Sequence, residues 1–266
     1  MYLQHFALTH FPFDHRLPPT DLFAPQAQNE AEVRLKHLLE LRGIGLLTGE
    51  PGSGKTTLCR HWCDALHPGL HRVIYVPLTT GNVMDMYKCI AWEFGLPTER
   101  NRASAFRQIR AEVSRLVLEG KQLPVLIIDE AHHLRNDVLE DLRLLTNYEM
   151  DSHNRLCLLF VGLTELQRRL QMALHESLNQ RIVMRFHLSG LSRDELPQYL
   201  DHRLHRAGCV LPLFDQSAIE AIFQATQALP RKINRLAHYA LTAAAIAKDK
   251  TVNTEHVQAA LTEIGS

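Results

Sequence analysis

The sequence predicts an α/β fold: a parallel sheet covered on both faces by helices, followed by a small all-helical domain. Three observations carry this. Short apolar runs alternate with helix-length stretches from about residue 44 to 188. The runs are continuously apolar, which suits strands buried on both faces. After Gly190 the strand-like runs stop and only helical periodicity continues.

The elements follow in order. The first 25 residues are rich in Phe and Pro, including Phe6, Phe11, Pro12, Phe13, Pro18, Pro19 and Phe23. They read as too irregular for a helix and too apolar for a free tail, so they are expected to pack across a domain surface, with Leu22 or Phe23 as a further candidate for an apolar ligand pocket. Residues 27–41 read as an amphipathic helix with Val33, Leu35, Leu38, Leu39 and Leu41 on its apolar face. A strand at 44–48 runs into a glycine-rich loop, and a helix follows from Thr56 to about Ala65. VIYVPL at 73–78, VLIID at 125–129, LCLLFV at 156–161 and VMRFHL at 183–188 supply the other strands, with helices expected at 82–94 and 103–119. Helices at 192–207, 215–228, 231–247 and 254–263 form the C-terminal part, with Asp215 and Thr254 as N-caps. The expected division is 1–43 as an N-terminal extension and helix, 44–190 as the α/β domain, and 191–266 as a helical lid.

Composition narrows the function classes. Charged residues make up 22% and basic and acidic residues balance at 29 each, so any nucleic-acid surface must be local rather than global. The five cysteines are odd in number and irregularly spaced, which suits buried or partly buried free thiols in a reducing compartment. The sixteen histidines are scattered and no His/Cys set has zinc spacing, so no metal site is expected among them. The N-terminus lacks a signal-peptide pattern, and no run reaches the length of a membrane span. A cytoplasmic protein without a membrane anchor is expected.

Two motifs carry chemistry. GEPGSGKT at 49–56 matches GxxxxGK[ST] through Gly49, Gly54, Lys55 and Thr56, after an apolar strand and before a helix. Its glycines let the backbone wrap phosphate oxygens, and amides at the helix start point at the anion. Lys55 is expected on the β- and γ-phosphates and Thr56 on Mg²⁺, with Pro51, Gly52, Ser53 and Thr57 completing the ATP-binding loop. The second motif is the strand ending in Asp129-Glu130. Asp129, at the strand's C-terminal end, is placed to hold Mg²⁺, and Glu130 to polarise an attacking water. Glu130 also stands in a DEAHH string similar to the DEAH box of some helicases. Those pair two such domains on one chain, and this length has room for one.

Together the F…PF start, LTGEPGSGKTTL, IIDEAHHL and QRIVMRFHL resemble AAA+ ATPases of the ExeA type. That group includes secretion ATPases and the target-selecting ATPases of transposons, the TnsC and TniB proteins. The resemblance implies a P-loop AAA+ domain with a helical lid, Mg²⁺-dependent ATP hydrolysis and homo-oligomers, as rings or helical filaments. It implies a sensor 1 residue near Thr164, although Leu163 stands where relatives often carry the polar side chain. It implies an arginine finger given to a neighbouring subunit at Arg181, with Arg185 as the alternative, and a sensor 2 arginine at Arg231, with Arg235 one turn on.

Two biological readings follow from the resemblance. One is a transposition regulator that assembles on double-stranded DNA and recruits a transposase. The other is the ATPase of a secretion or envelope-assembly complex. Secretion members are similar to longer chains with a membrane segment after the ATPase, which inclines the expectation toward DNA. Arg100, Arg102 and Lys121 lie in a basic stretch, with Arg100 and Arg102 expected in a loop that phosphates could reach. A solvated helix face explains the same charges equally well.

Overall fold

The computed structural model describes residues 2–14, 23–77 and 81–265; the expectations for Pro18, Pro19, Leu22 and Leu78 fall outside them. The chain divides into two compact units, Glu30–Pro51 with Lys55–Leu188, and Met1–Asn29 with Gly52–Gly54 and Ser189–Ser266.

In chain order the elements are α1 (Tyr2–His5), α2 (Gln26–Leu41), β1 (Ile44–Gly49), α3 (Lys55–Ala65), β2 (His71–Val76), α4 (Val83–Phe94), α5 (Arg102–Leu118), β3 (Leu123–Ile128), α6 (Asn136–Leu145), β4 (Cys157–Gly162), α7 (Thr164–Leu170), α8 (Glu176–Arg181), β5 (Ile182–Leu188), α9 (Glu195–Arg206), α10 (Gln216–Thr226), α11 (Pro230–Ala247) and α12 (Thr254–Gly265).

The α/β unit holds a five-stranded sheet of order β2-β3-β4-β1-β5. Every pairing is parallel. The central strands β1, β3 and β4 are buried along their whole length, as expected for apolar runs sandwiched between helices. Gly45 in β1 allows a close approach: a Cβ there would lie 2.5 Å from Leu38 Cδ2 of α2. Only Ala31, Leu35 and Leu38 of α2 are buried, and Val33 and Leu41 are exposed, so the apolar face is narrower than the sequence suggests.

Local chemistry sets the helix ends. Asn82 caps α4 by accepting from the N–H groups of Met84 and Asp85, and Asp85 closes the reciprocal capping box. Such a box contributes about 1 kcal/mol. Gly95 ends the same helix in the left-handed region at φ 77°. Asn101 caps α5 through the Ser104 N–H. Arg102 is therefore the first residue of a helix and not part of a loop.

The helical unit is built from α9–α12 and the N-terminal segment. Tyr2, Phe6, Leu8 and Phe13 are buried in one core with Leu196, Leu200, Leu204, Ile233 and Leu241. The short α1 corrects the expectation of a wholly irregular start. Arg203 anchors the segment, donating from Nε to Pro12 O at 2.6 Å and from Nη2 to Asp14 O. Asp215 caps α10 as expected, accepting the Ala218 N–H at 2.7 Å. At α12 the cap is Asn253, which accepts the His256 N–H at 3.2 Å; Thr254 is already helical.

The strands also shift. β2 begins at His71, because His71 and Arg72 pair with Leu123 and Pro124. β3 correspondingly runs from Leu123 to Ile128 and leaves Asp129 just beyond it. Helices α6, α7 and α8 have no counterpart in the sequence reading. Among the described residues no helix is long and apolar enough to cross a membrane. Cys59, Cys157 and Cys209 are buried free thiols, Cys63 is half-buried and Cys89 is exposed.

Candidate functional site

In a parallel sheet all strand C-termini emerge at one edge, and loops there build sites. The loop after β1 turns with Gly52 at φ 83° and Gly54 at φ 101°, a region that side chains with a Cβ rarely adopt. At Gly54 a Cβ would meet nothing within 4 Å, so the backbone angle itself demands glycine there. Lys55 opens α3 and is buried, with Nζ donating to Gly49 O at 2.9 Å and Glu50 O at 3.0 Å. The ammonium thus folds back over its own loop, where an anion would sit. Ser53 is buried, and its Oγ has no hydrogen-bond partner among the described residues. Pro51 and Thr56 are exposed and Thr57 is half-buried.

Asp129 is held at the end of β3 by its N–H bond to Val76 O at 2.9 Å. Its carboxylate is buried and takes three donors. Thr56 Oγ1 reaches Oδ2 at 2.8 Å, Tyr75 Oη reaches the same oxygen at 2.9 Å, and the Glu130 N–H reaches Oδ1 at 2.8 Å. Tyr75 comes from β2, and the sequence reading did not single it out. Burial, with the Asp129 hydrogen bond second, pushes its phenol well above the ordinary tyrosine range, so it acts here as a donor. Thr56 and Asp129 are hard oxygen donors side by side, the set magnesium prefers. Together with the positive-φ glycines, Lys55 and the orphaned Ser53 hydroxyl, the residues present fit a magnesium nucleotide.

Glu130 is in the left-handed region, φ 51° and ψ 33°, at the head of a single 3₁₀ turn Ala131–His133. Non-glycine residues hold such angles at a cost, often at functional sites. The turn brings Glu130 Oε2 to 3.4 Å from His132 Nδ1. His132 is buried; burial, and then the neighbouring His133, lower its pKa below the usual histidine value. Arg169 of α7 fixes this turn by donating to His132 O at 3.0 Å and Leu134 O at 2.8 Å.

The remaining expected residues fall as follows. Thr164 begins α7, and its hydroxyl donates to Glu50 Oε1 at 3.0 Å, while Leu163 is the residue before the helix. Arg181 is the last residue of α8, directly before β5. Arg185 lies in β5 and donates from Nη2 to Asn179 O at 2.6 Å and Asn179 Oδ1 at 2.9 Å. Burial lowers the Arg185 pKa, and its Nη1 is buried with no hydrogen-bond partner among the described residues. In the helical unit Arg231 is exposed in the first turn of α11, and its backbone N–H donates to Gly52 O at 3.2 Å. A Cβ on Gly52 would lie 2.6 Å from Arg231 Cβ, so this contact also requires glycine. Arg235, one turn on, is exposed. Phe23 packs its ring against Tyr199 and His202 of the same unit, both at 5.7 Å.

The basic stretch is not one surface. Arg102 donates from Nε to Asp141 Oδ2 at 2.8 Å and from Nη2 to Oδ1, and Tyr87 Oη donates to the same buried carboxylate at 2.8 Å. Arg110 donates to Leu144 O at 3.2 Å and to Asn147 O, with its guanidinium 4.1 Å from the Tyr148 ring. Arg115 pairs with Glu112. Arg100 and Lys121 are exposed but flank opposite ends of α5, a 17-residue helix about 25 Å long.

Comparison with known proteins adds the following. A family profile described as an AAA domain matches residues 38–170. The General secretion pathway protein A of Aeromonas hydrophila is 36% identical over 247 residues, covering 92% of this chain and 45% of that protein. The chain thus spans less than half the length of this curated relative. Among solved structures, Cdc6p from Pyrobaculum aerophilum superposes with a TM-score of 0.68 at 19% identity, over 95% of this chain and 70% of that one. Drosophila ORC bound to DNA gives 0.67 at 18% identity, over 96% and 64%. The Thermotoga maritima RuvB Holliday junction branch migration motor gives 0.54 at 20%, over 88% and 68%. At these identities the structural likenesses establish the fold.

Proposed function

The chain belongs to the AAA domain family, and from that premise we propose that it is an ATPase of the AAA+ kind, dependent on magnesium, whose hydrolytic site is completed by a second copy of the chain. One observation carries the reading. Lys55, Thr56 and Asp129 converge at one sheet edge with Thr56 already bonded to Asp129, and Glu130 follows on the same loop. Magnesium, when bound, supplies charge neutralisation on the β- and γ-phosphates. Thr56 and Asp129 would hold it, and Tyr75 keeps the Asp129 carboxylate turned toward Thr56. The loop amides and Lys55 bind the phosphates. Glu130 accepts a proton from the attacking water, and Thr164 and Arg231 serve as the polar sensors.

Arg181, the last residue of α8 directly before β5, is the arginine we assign to the neighbouring copy's site, with Arg185 as the alternative. Assembly into a ring or filament then becomes part of the chemistry. Lys55→Ala is expected to lose binding of a fluorescent ATP analogue. Glu130→Gln should bind it normally and lose about 10²–10⁴-fold in turnover. Arg181→Ala should lose about 10³-fold or more. Mixing Arg181→Ala with Lys55→Ala should restore part of the activity, because each supplies what the other lacks. An Arg181→Ala protein that turns over at the wild-type rate would overturn the shared site.

For biological role we place the chain with the secretion-pathway relative rather than with transposition regulators. The 36% identity across 92% of the chain supports this. That relative extends well beyond the matched region, so chain length no longer argues for DNA. The DNA reading also loses Arg102 to Asp141, and Arg100 and Lys121 stand far apart. Anisotropy with labelled duplex DNA, with and without ATP across a salt series, tests the choice. Tight, ATP-dependent and salt-sensitive binding would return the assignment to a DNA-assembled regulator and its transposase partner.

A further inference from the structure

The DEAHH string has a feature that phosphate chemistry leaves unused. Glu130, His132 and His133 offer one donor atom each, all within 4.8 Å of one another, and they are the one such group of three among the described residues. The backbone builds the cluster. Glu130 turns back through its left-handed conformation, and the 3₁₀ turn sets the two imidazoles side by side with ring centroids 4.0 Å apart. His132 is fixed. A Cβ on Gly162 would lie 3.2 Å from its backbone nitrogen and 3.4 Å from Nδ1, and Arg169 grips its carbonyl. His133 is exposed and the Glu130 side chain is 47% exposed, so solvent reaches the group.

We propose that Glu130, His132 and His133 form a binding site for a divalent transition-metal cation of the zinc type, and that its occupancy withdraws Glu130 from catalysis. The geometry suits the ion. Tetrahedral zinc with ligands at about 2.0–2.2 Å places neighbouring donors about 3.3–3.5 Å apart. Glu130 Oε2 and His132 Nδ1 already stand at 3.4 Å; the Leu163 N–H lies at the same distance from Nδ1 and is the contact a metal would displace. The third donor belongs to the exposed His133 and lies within 4.8 Å of the other two. Two imidazoles and one carboxylate leave a fourth position for water, as in three-ligand zinc sites. Arg169 holds the backbone of this turn through the His132 and Leu134 carbonyls. Magnesium does not compete strongly here, because it prefers all-oxygen donor sets. Such a site makes ATP turnover sensitive to free zinc. Its consequence for turnover rests on Glu130 acting on water; the binding site itself does not.

The test uses the full chain with Cys63 and Cys89 changed to Ser, and zinc alone, without nucleotide. Competition against a chromophoric chelator should give one equivalent per chain. Co²⁺ should give a visible ligand-field band without the near-ultraviolet charge transfer of a thiolate. His133→Ala, at an exposed position, should weaken zinc binding at least tenfold and leave magnesium-supported turnover unchanged. In wild type, zinc should stop turnover and a chelator restore it, with His133→Ala resistant. No saturable zinc binding, a thiolate band, or unchanged affinity in His133→Ala would each overturn the site. If zinc binds and Glu130→Gln still turns over, the site stands and the hydrolytic role of Glu130 falls. If Glu130→Gln is inactive and His133→Ala binds zinc normally, only the metal proposal falls.

Discussion

Arg102→Met separates a structural arginine from a ligand-binding one. The side chain is 62% exposed, which looks like an available cation, but its guanidinium is bidentate to Asp141, whose side chain is 3% exposed. Removing the guanidinium leaves a buried carboxylate with the Tyr87 hydroxyl as its remaining donor among these partners. Breaking a fully buried pair costs about 3–5 kcal/mol. Solvent screens the exposed guanidinium, which lowers the figure to about 2 kcal/mol. With a urea m-value of about 2 kcal/mol/M, the midpoint for the α/β unit should fall by about 1 M. Urea unfolding followed by far-ultraviolet circular dichroism measures this. The double variant Arg102→Met/Asp141→Leu should recover most of the loss, because no uncompensated charge remains. A single variant within about 0.5 kcal/mol of wild type would refute the reasoning and return Arg102 to the free surface charges.

Two further outcomes follow from packing and titration. Phe13→Ala should destabilise the helical unit by about 3–5 kcal/mol, since Phe13 is buried beside Phe214 at 6.1 Å; a change within error on thermal unfolding would mean the segment is an ordinary tail. His175 and His238 are held below the ordinary histidine pKa of 6.5, in each case chiefly by burial. The unfolded chain therefore binds protons before the folded one does, so this stability is complete above about pH 6.5 and falls as pH drops through it. Urea midpoints from pH 8 to 5 should decline, and His175→Gln should flatten the decline; a midpoint independent of pH in wild type would contradict the assignment.

The legible parts of this protein are those whose chemistry is contiguous along the chain. The phosphate loop is one: its glycines answer backbone angles, and its lysine and threonine sit where the next helix begins. Asp129-Glu130 is another, because an apolar strand ending in acids already implies which sheet edge they occupy. The helical periodicity after Gly190 and the Asp215 cap are local in the same sense. Helix α6 went unread, although Val138, Leu139, Leu142 and Leu145 recur at helical spacing and are all buried.

What the tertiary structure decided are partnerships between residues far apart in sequence. Tyr75 meets Asp129 across 54 residues, because β2 and β3 are parallel neighbours. Arg102 meets Asp141 across 39, which removes it from the surface charges it seemed to join by composition. Arg203 meets Pro12 across 191 and ties the N-terminal aromatics into the helical core. Even the adjacent Glu130, His132 and His133 became a cluster only through a left-handed residue and a 3₁₀ turn. The physical reason is common to all four. Residue type fixes what a side chain can bond to, but burial and backbone geometry fix which of those bonds is made. The sequence by itself thus determined an ATP-type loop in an α/β domain, and the packed structure determined which charges are engaged elsewhere in the fold.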